Sequence, residues 1–343
     1  MNDWRRPATL GDVADLAGVS QSTVSNVVRG ADVVAPRTRR RVQAAIEQLG
    51  YRPNALARQL LYGRATTIGI IARDLTNPFI AEMASLVERE VAGHGFATMF
   101  SATEGVPEGE DRAIDLMLEY RISGVVLLSY LRRPAAIRHR IEEQFPAVFI
   151  AAEEPWADSI TVDERNAGAL VARHLIDLGH RRLAFVGPHR RDRADTRRLE
   201  GFVREAERAA IRPSIVAWDP PDGRPSVGTR LVDWSELLQG PEHATGIFAA
   251  NDFAAIDLLD VADSLGVQVP NDLSVVGFDD VEFARLRRIS LTTVSQPRER
   301  LVRVGVQSLL DRIAGRTVGD ATVTQVPVEL KIRGSTGPAS TAG

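Results

Sequence analysis

The residues best equipped for chemistry fall into two groups. Near the start, Ser20-Gln21-Ser22-Thr23-Val24-Ser25-Asn26 sets short hydroxyl and amide side chains at almost every position, and Arg37, Arg39, Arg40 and Arg41 follow close behind. Hydroxyls and amides both donate and accept, which suits reading base edges, and arginines suit phosphates. Further along, Asp74, the pair Asn251-Asp252 and the pair Asp279-Asp280 each follow a short apolar segment, and Arg198 opens an amphipathic stretch. Polar groups beyond the carboxyl ends of strands are where open α/β sheets hold ligands. The histidines at 94, 139, 174, 180, 189 and 243 show no metal-ligand spacing, and there is neither a Gly-x-Ser-x-Gly elbow nor a Gly-x-x-x-x-Gly-Lys loop. No catalytic residue, metal or cofactor is expected, and the chain does not read as an enzyme.

The elements that must position the first group are helices. Leu10, Val13, Leu16 and Ala17 recur at helical spacing, Gly18 stops the helix and Val19 plugs the turn. Ser20 is a good N-cap for a second helix that sends Val24, Val27 and Val28 inward and Gln21, Ser22, Ser25, Asn26 and Arg29 outward. A solvated helix would normally carry Glu and Lys; a small, polar, nearly uncharged face suits the major groove. A third helix begins at Pro36, carries Val42, Ala45, Ile46 and Leu49 on one face and ends at Gly50. Its outer arginines add phosphate attraction, while Ala35 forgoes a cap worth about 1 kcal/mol. Asn54 can cap a short helix with Leu56 and Leu60 one turn apart, marginal unless docked.

From Thr67 the pattern becomes short apolar strands alternating with amphipathic helices. Strands are expected at 68–72, 97–100, 124–128, 183–186, 246–249 and 273–277. Helices are expected at 78–94, 113–120, 166–178, 198–209 and 252–265, so the rhythm is βαβ in two similar lobes with parallel sheets. Asp252 reads as a helix N-cap, and His180 as a structural cation at a helix end. The small-residue tail 334–343 reads as disordered and lacks the heptads of a coiled coil.

Composition narrows the classes. The 343 residues are 44% hydrophobic and 25% charged, with no cysteine, so disulfides and thiolate sites are excluded. No apolar run resembles a signal peptide or approaches the roughly 18 residues of a membrane helix, so a cytoplasmic protein with no membrane partner is expected. Residues 1–64 hold 10 arginines against 5 acids, a net +5, whereas the remainder is net −8. A basic head on an acidic body implies a polyanion partner for the head.

The runs Thr9-Leu-Gly-Asp-Val-Ala-Asp-Leu-Ala-Gly-Val-Ser-Gln-Ser-Thr-Val-Ser-Asn-Val-Val28 and Tyr51-Arg-Pro-Asn-Ala-Leu-Ala-Arg-Gln-Leu60 resemble the lac-repressor (LacI/GalR) family, a similarity that extends with gaps along nearly the whole chain. The resemblance implies that Thr9, Ser20, Thr23, Ser25, Thr38, Tyr51 and Asn54 hold phosphates. It likewise implies that Gln21, Ser22 and Asn26 read major-groove bases, with Arg29 beside them, and that Ala57 and Leu60 enter the minor groove. At Asn26 the family often has Arg or His; asparagine favours adenine. In the body, Arg198, Asn251 and Asp279 would grip an effector, with Asp74 beside them and Phe79 and Trp218 as aromatic faces. Such groups suit a sugar or sugar derivative.

The implied fold is α/β: an N-terminal helix-turn-helix headpiece plus a two-lobed, periplasmic-binding-protein-like (type I) sensor. The expected divisions are 1–52 for the DNA-binding domain, 53–65 for a hinge helix and linker, and 66–334 for the effector-binding and dimerisation domain. Lobe one would take about 66–162 plus 295–326, lobe two about 163–294 plus 327–334, and 335–343 the disordered tail. Chain crossings near 161–165, 293–296 and 325–328 would act as the hinge. The expected protein is a homodimeric repressor that binds a near-palindromic double-stranded operator under effector control. The alternatives are a ligand sensor without a DNA role and a sugar-metabolising enzyme on the same fold.

Overall fold

The computed structural model describes residues 8–51, 66–128, 131, 133–188, 193–217 and 234–340. It divides into two compact units, Met1–Thr66 and Thr67–Gly343.

In the head, α1 spans Leu10–Ala17, α2 Gln21–Val28 and α3 Pro36–Leu49. Thr9 and Asp12 close a capping box on α1: Thr9 Oγ1 accepts from Asp12 N at 3.2 Å, and Asp12 Oδ2 accepts from Thr9 N at 2.7 Å. Gly18 then ends α1 at φ 59°, a left-handed conformation that would strain any other residue, and Ser20 caps α2 through Thr23 N. Val13, Val24 and Val42, one from each helix, are 0% exposed and form the centre of the head. Leu49, expected inward, is 37% exposed, because the small cluster reaches only as far as Ile46 and is closed by Tyr51 folding back on it.

The body carries two six-stranded sheets. The first has the order β11-β5-β4-β3-β1-β2, built from β1 (Thr67–Ala72), β2 (Ala97–Ala102), β3 (Gly124–Leu127), β4 (Ala147–Ile150), β5 (Asp158–Val162) and β11 (Val323–Val326). The second has the order β12-β10-β9-β8-β6-β7, from β6 (Leu183–Gly187), β7 (Ser214–Ala217), β8 (Gly246–Ala249), β9 (Ser274–Asp279), β10 (Thr292–Ser295) and β12 (Glu329–Lys331). All pairings are parallel except β10 with β12. Central strands such as β3, β4 and β8 are buried at every residue, which is why they read as unbroken apolar runs. Among the described residues the chain passes between lobes after β5, after β10 and after β11.

Residues 335–340, the described part of the tail, do not fit the expectation of disorder. Ser335 is 2% exposed; its Oγ donates to Val275 O at 2.6 Å and accepts from Thr292 N at 2.8 Å. Gly337 N donates to Ser274 Oγ at 3.0 Å, and Ala339 N to Leu178 O at 2.8 Å. Small side chains let the backbone lie against β9, so the composition that suggested disorder instead permits a hydrogen-bonded strap. Ser335→Ala is expected to leave both partners unpaired and cost about 1–3 kcal/mol, lowering the unfolding midpoint of the sensor unit in a calorimetric scan of the full chain. An unchanged midpoint would remove the strap from the stability of this lobe.

His180 anchors that strap and is not a helix-end cation. It is 2% exposed, with Nε2 2.9 Å from Ser274 Oγ and 3.1 Å from Gly337 O, and Nδ1 3.1 Å from Thr245 Oγ1. Burial pushes its pKa below the ordinary histidine value, and the same cause lowers that of His174. The folded protein therefore holds both rings neutral, while the unfolded chain takes up protons below about pH 6.5. Their contribution is complete above that pH and is lost as pH falls through the lower, folded values. The sensor should thus unfold at a lower temperature at pH 5.5 than at pH 7.5, and His180→Gln should flatten the difference.

Candidate functional site

On the head, α2 presents Gln21, Ser22 and Arg29 exposed, with Ser25 and Asn26 half-buried beside them. Eight residues make a helix about 12 Å long, matched to the width of the major groove. At its N-terminus Ser20 Oγ lies 2.7 Å from Ser22 Oγ and 2.9 Å from Thr23 Oγ1, a hydroxyl cluster at the positive end of the helix dipole where a phosphate is favoured. Arg29 folds onto Ser25 Oγ at 2.7 Å. Thr38 and Tyr51 are half-buried.

The arginines of α3 divide. Arg41 Nη2 donates to Ala17 O at 2.6 Å and Arg39 Nη2 to Ala31 O at 2.7 Å, so these two tie the turns of the head together. Arg37 and Arg40 stay exposed, which leaves them the better placed for phosphate. Asn54, Ala57, Leu60 and Trp218, with the segment 53–65, lie outside the described residues.

In the body, β8 and β9 deliver Asn251 and Asp279 at their carboxyl ends, and the helix Arg193–Arg208 delivers Arg198. Arg198 is 5% exposed. Its Nε and Nη2 each lie 2.9 Å from Glu164 Oε2, its Nη1 meets the carbonyl of Ala250 beside Asn251, and its guanidinium carbon sits 3.4 Å from the centroid of the Phe278 ring. Asp279 and Asp280 hold φ of 113° and 54°, a strained pair of the kind found at ligand sites. Burial, reinforced by the Asp252 carboxylate, raises the Asp279 pKa well above the usual carboxylate range, against the pull of Arg198 and of Gln296, whose Nε2 donates to Asp279 Oδ1 at 2.8 Å.

The neighbouring polar residues have local duties. Asn251, not Asp252, caps the helix Asp252–Ser264, accepting from Ala254 N at 2.9 Å. This corrects the reading of Asp252, which begins the helix, is 0% exposed, and accepts from Val281 N at 2.9 Å and from Thr293 Oγ1. Burial raises its pKa to about 7. A Cβ at Gly277 would meet Asp252 Oδ1 at 2.2 Å, so only glycine allows this close approach. Asp280 pairs with Arg285 at 2.9 Å and with Arg333. In the first lobe Asp74 closes a turn onto Thr76 N at 2.8 Å, and Asn77 caps the helix bearing Phe79, which is 4% exposed within the core.

Sequence reasoning did not single out Glu164 or Gln296, whose partners are remote in the chain, nor Asp195, one turn before Arg198 on the same helix, nor the ion pair of Glu153 in the first lobe with Arg197 in the second. That pair borders a cavity of about 230 Å³ lined also by Asp163, Glu164, Arg165 and Gln325.

A helix-turn-helix reader and a separate two-lobed ligand sensor define a ligand-responsive DNA-binding regulator. The profile described as "Bacterial regulatory proteins, lacI family" matches residues 9–54, and that of the "Periplasmic binding protein-like domain" matches 172–336. The ribose operon repressor of Escherichia coli (strain K12) is 32% identical over 342 residues, covering 96% of this chain and 99% of that protein. The lac repressor dimer bound to operator and the anti-inducer ONPF superposes with TM-score 0.83 at 28% identity, over 97% of this chain and 100% of that one. The regulator CelR in complex with cellobiose gives TM-score 0.68 at 29% identity, over 96% and 100%. The chain belongs to the lacI family of bacterial regulatory proteins. It is an effector-controlled DNA-binding transcriptional repressor rather than an enzyme, and among its described residues no helix is long and apolar enough to cross a membrane.

Proposed function

We propose that this repressor acts in the cytoplasm as a homodimer, each head laying α2 into one half of a near-palindromic operator while Gln21, Ser22 and Asn26 read bases. A carbohydrate effector, bound between the lobes against Arg198, Asn251 and Asp279, shifts the lobe equilibrium and through it the spacing of the heads. The observation that carries this reading is the buried Arg198 cluster at the carboxyl ends of β8 and β9, where a doubly wound sheet keeps its ligands. Relatives named for ribose and cellobiose support a sugar. The segment 53–65, Asp74 and Trp218 keep their suggested roles as part of the proposal, whereas Phe79, buried in the core, is not carried forward as an aromatic face for the ligand. Selection of binding sites from random duplex DNA by the full chain tests it: a two-fold symmetric consensus is expected, and an asymmetric site or none would sink the dimeric reader.

A further inference from the structure

The two lobes meet at a charged bridge. Glu153 follows β4 in the first lobe, and Arg197 stands in the helix Arg193–Arg208 of the second. Arg197 Nη2 donates to Glu153 Oε1 at 2.8 Å and its Nη1 meets Glu153 Oε2, so the guanidinium fork is engaged in bidentate fashion. The side chains of Arg197 and Glu153 are 26% and 17% exposed, so water screens them less than it screens a surface ion pair. The cavity of about 230 Å³ beside the pair, lined by Asp163, Glu164, Arg165 and Gln325, means that the lobes are joined here by charge and not by close-packed side chains. Such a contact can be made and broken without repacking a core.

Arg197 is also tied to a chain crossing and to the Arg198 cluster. Its neighbour Arg198 pairs with Glu164 and meets the Ala250 carbonyl. Glu164 opens the helix Glu164–Asp177, directly after the crossing that follows β5. Arg165 and Glu200 form a further ion pair between the two helices, at 2.7 Å. A Cβ at Gly168 would collide with Arg198 O, and one at Gly201 with Arg165 O, so the helices lie backbone against backbone and neither can slide along the other. Displacing Arg197 therefore displaces both helices, and with them residues 163–165 at the crossing. Through Arg197 the first lobe grips a rigid lever that also carries Arg198.

We infer that the Glu153–Arg197 pair is a clasp that holds the lobes in the arrangement described and sets how readily an effector moves the heads. The inference rests on the effector-controlled lobe equilibrium above and names the contact that biases it. A sugar held between the lobes favours the same arrangement, and its apparent affinity scales with the population competent to bind it. Two affinities of the full chain test the clasp: that for whichever of D-ribose, D-glucose and cellobiose gives the largest thermal shift, and that for the selected operator without sugar. Glu153→Gln and Arg197→Gln should each weaken sugar binding roughly fivefold or more, and shift sugar-free operator affinity in the direction opposite to the shift that sugar causes in the native chain. The two variants change the local charge in opposite senses, so a shared direction cannot come from net charge. Glu153→Arg combined with Arg197→Glu should restore both affinities. Where that double variant does not fold, Arg197→Lys, which keeps the charge but not the fork, should fall between the native chain and Arg197→Gln. Native affinities in both single variants overturn the clasp and leave the carbohydrate reading standing. Weaker sugar binding with operator affinity unmoved makes the pair a ligand contact and overturns the clasp as well. If none of the three sugars binds, the carbohydrate reading fails and the operator measurement decides: shifts of like sign in both single variants, reversed by the double variant, sustain the clasp, whereas shifts of opposite sign or none remove it.

Discussion

Replacing Arg198 by alanine is expected to cost the sensor unit about 3–5 kcal/mol, because it removes the guanidinium that pairs with the buried Glu164 carboxylate. The loss should appear in denaturant unfolding of the full chain as a lowered midpoint of the sensor transition only, since the head is a separate unit with its own three-helix core. The response to effector should vanish, while operator binding by the folded fraction persists at low temperature. Arg198→Ala combined with Glu164→Gln should recover part of the stability without the response. A stability loss is what a purely structural cluster would also give; the lost response is what marks Arg198 as part of the ligand site. If the single variant folds and still responds at the native effector concentration, the ligand site has been assigned to the wrong cluster.

The second large effect belongs to α2. Gln21→Ala and Asn26→Ala each remove one amide capable of a bidentate base contact, worth about 1–3 kcal/mol of discrimination, or roughly 5- to 140-fold in affinity for the preferred site. Neither residue belongs to the buried cluster of the head, so thermal stability should stay within about 0.5 kcal/mol of the native chain. Asn26→Ala should in addition relax the preference for adenine at one position of each half-site. Arg37→Ala and Arg40→Ala should behave differently, weakening all duplexes alike and reducing the salt dependence of binding. Competition between the selected operator and single-base variants separates the two patterns. Equal losses on every sequence for Asn26→Ala would make it a backbone contact.

Much of the head was legible because its signals are local. Gly18, Ser20, Pro36 and Gly50 mark helix ends within a few residues of what they act on, and the valines repeat at helical spacing. The two α3 arginines that bind Ala17 O and Ala31 O looked like phosphate ligands because nothing in their own helix names a distant carbonyl as partner. The sheets showed themselves as apolar runs, but the helix Arg298–Ile313 passed unnoticed despite Leu301, Val302, Val306, Leu309 and Leu310 along one face.

The proposed ligand cluster was only half visible. Arg198, Asn251 and Asp279 came from family resemblance, whereas Glu164 looked like an ordinary acid in the first turn of a helix, 34 residues from its partner. Gln296 sits in a crossing between lobes with no periodicity to flag it. The strap at 335–339 was misread because composition records how little a segment can bury, not whether a groove of hydrogen-bond partners awaits it.

The most direct test of ligand-controlled repression is the equilibrium affinity of the full chain for its selected operator, measured by fluorescence anisotropy with and without the sugar that stabilises the sensor most. Two sites coupled by about 1–3 kcal/mol should change that affinity roughly 5- to 150-fold, and the operator should change the affinity for the sugar by the same factor. An operator affinity that does not move at a sugar concentration saturating the thermal shift would contradict the account, since the sensor and the reader would then be two proteins joined only by sequence.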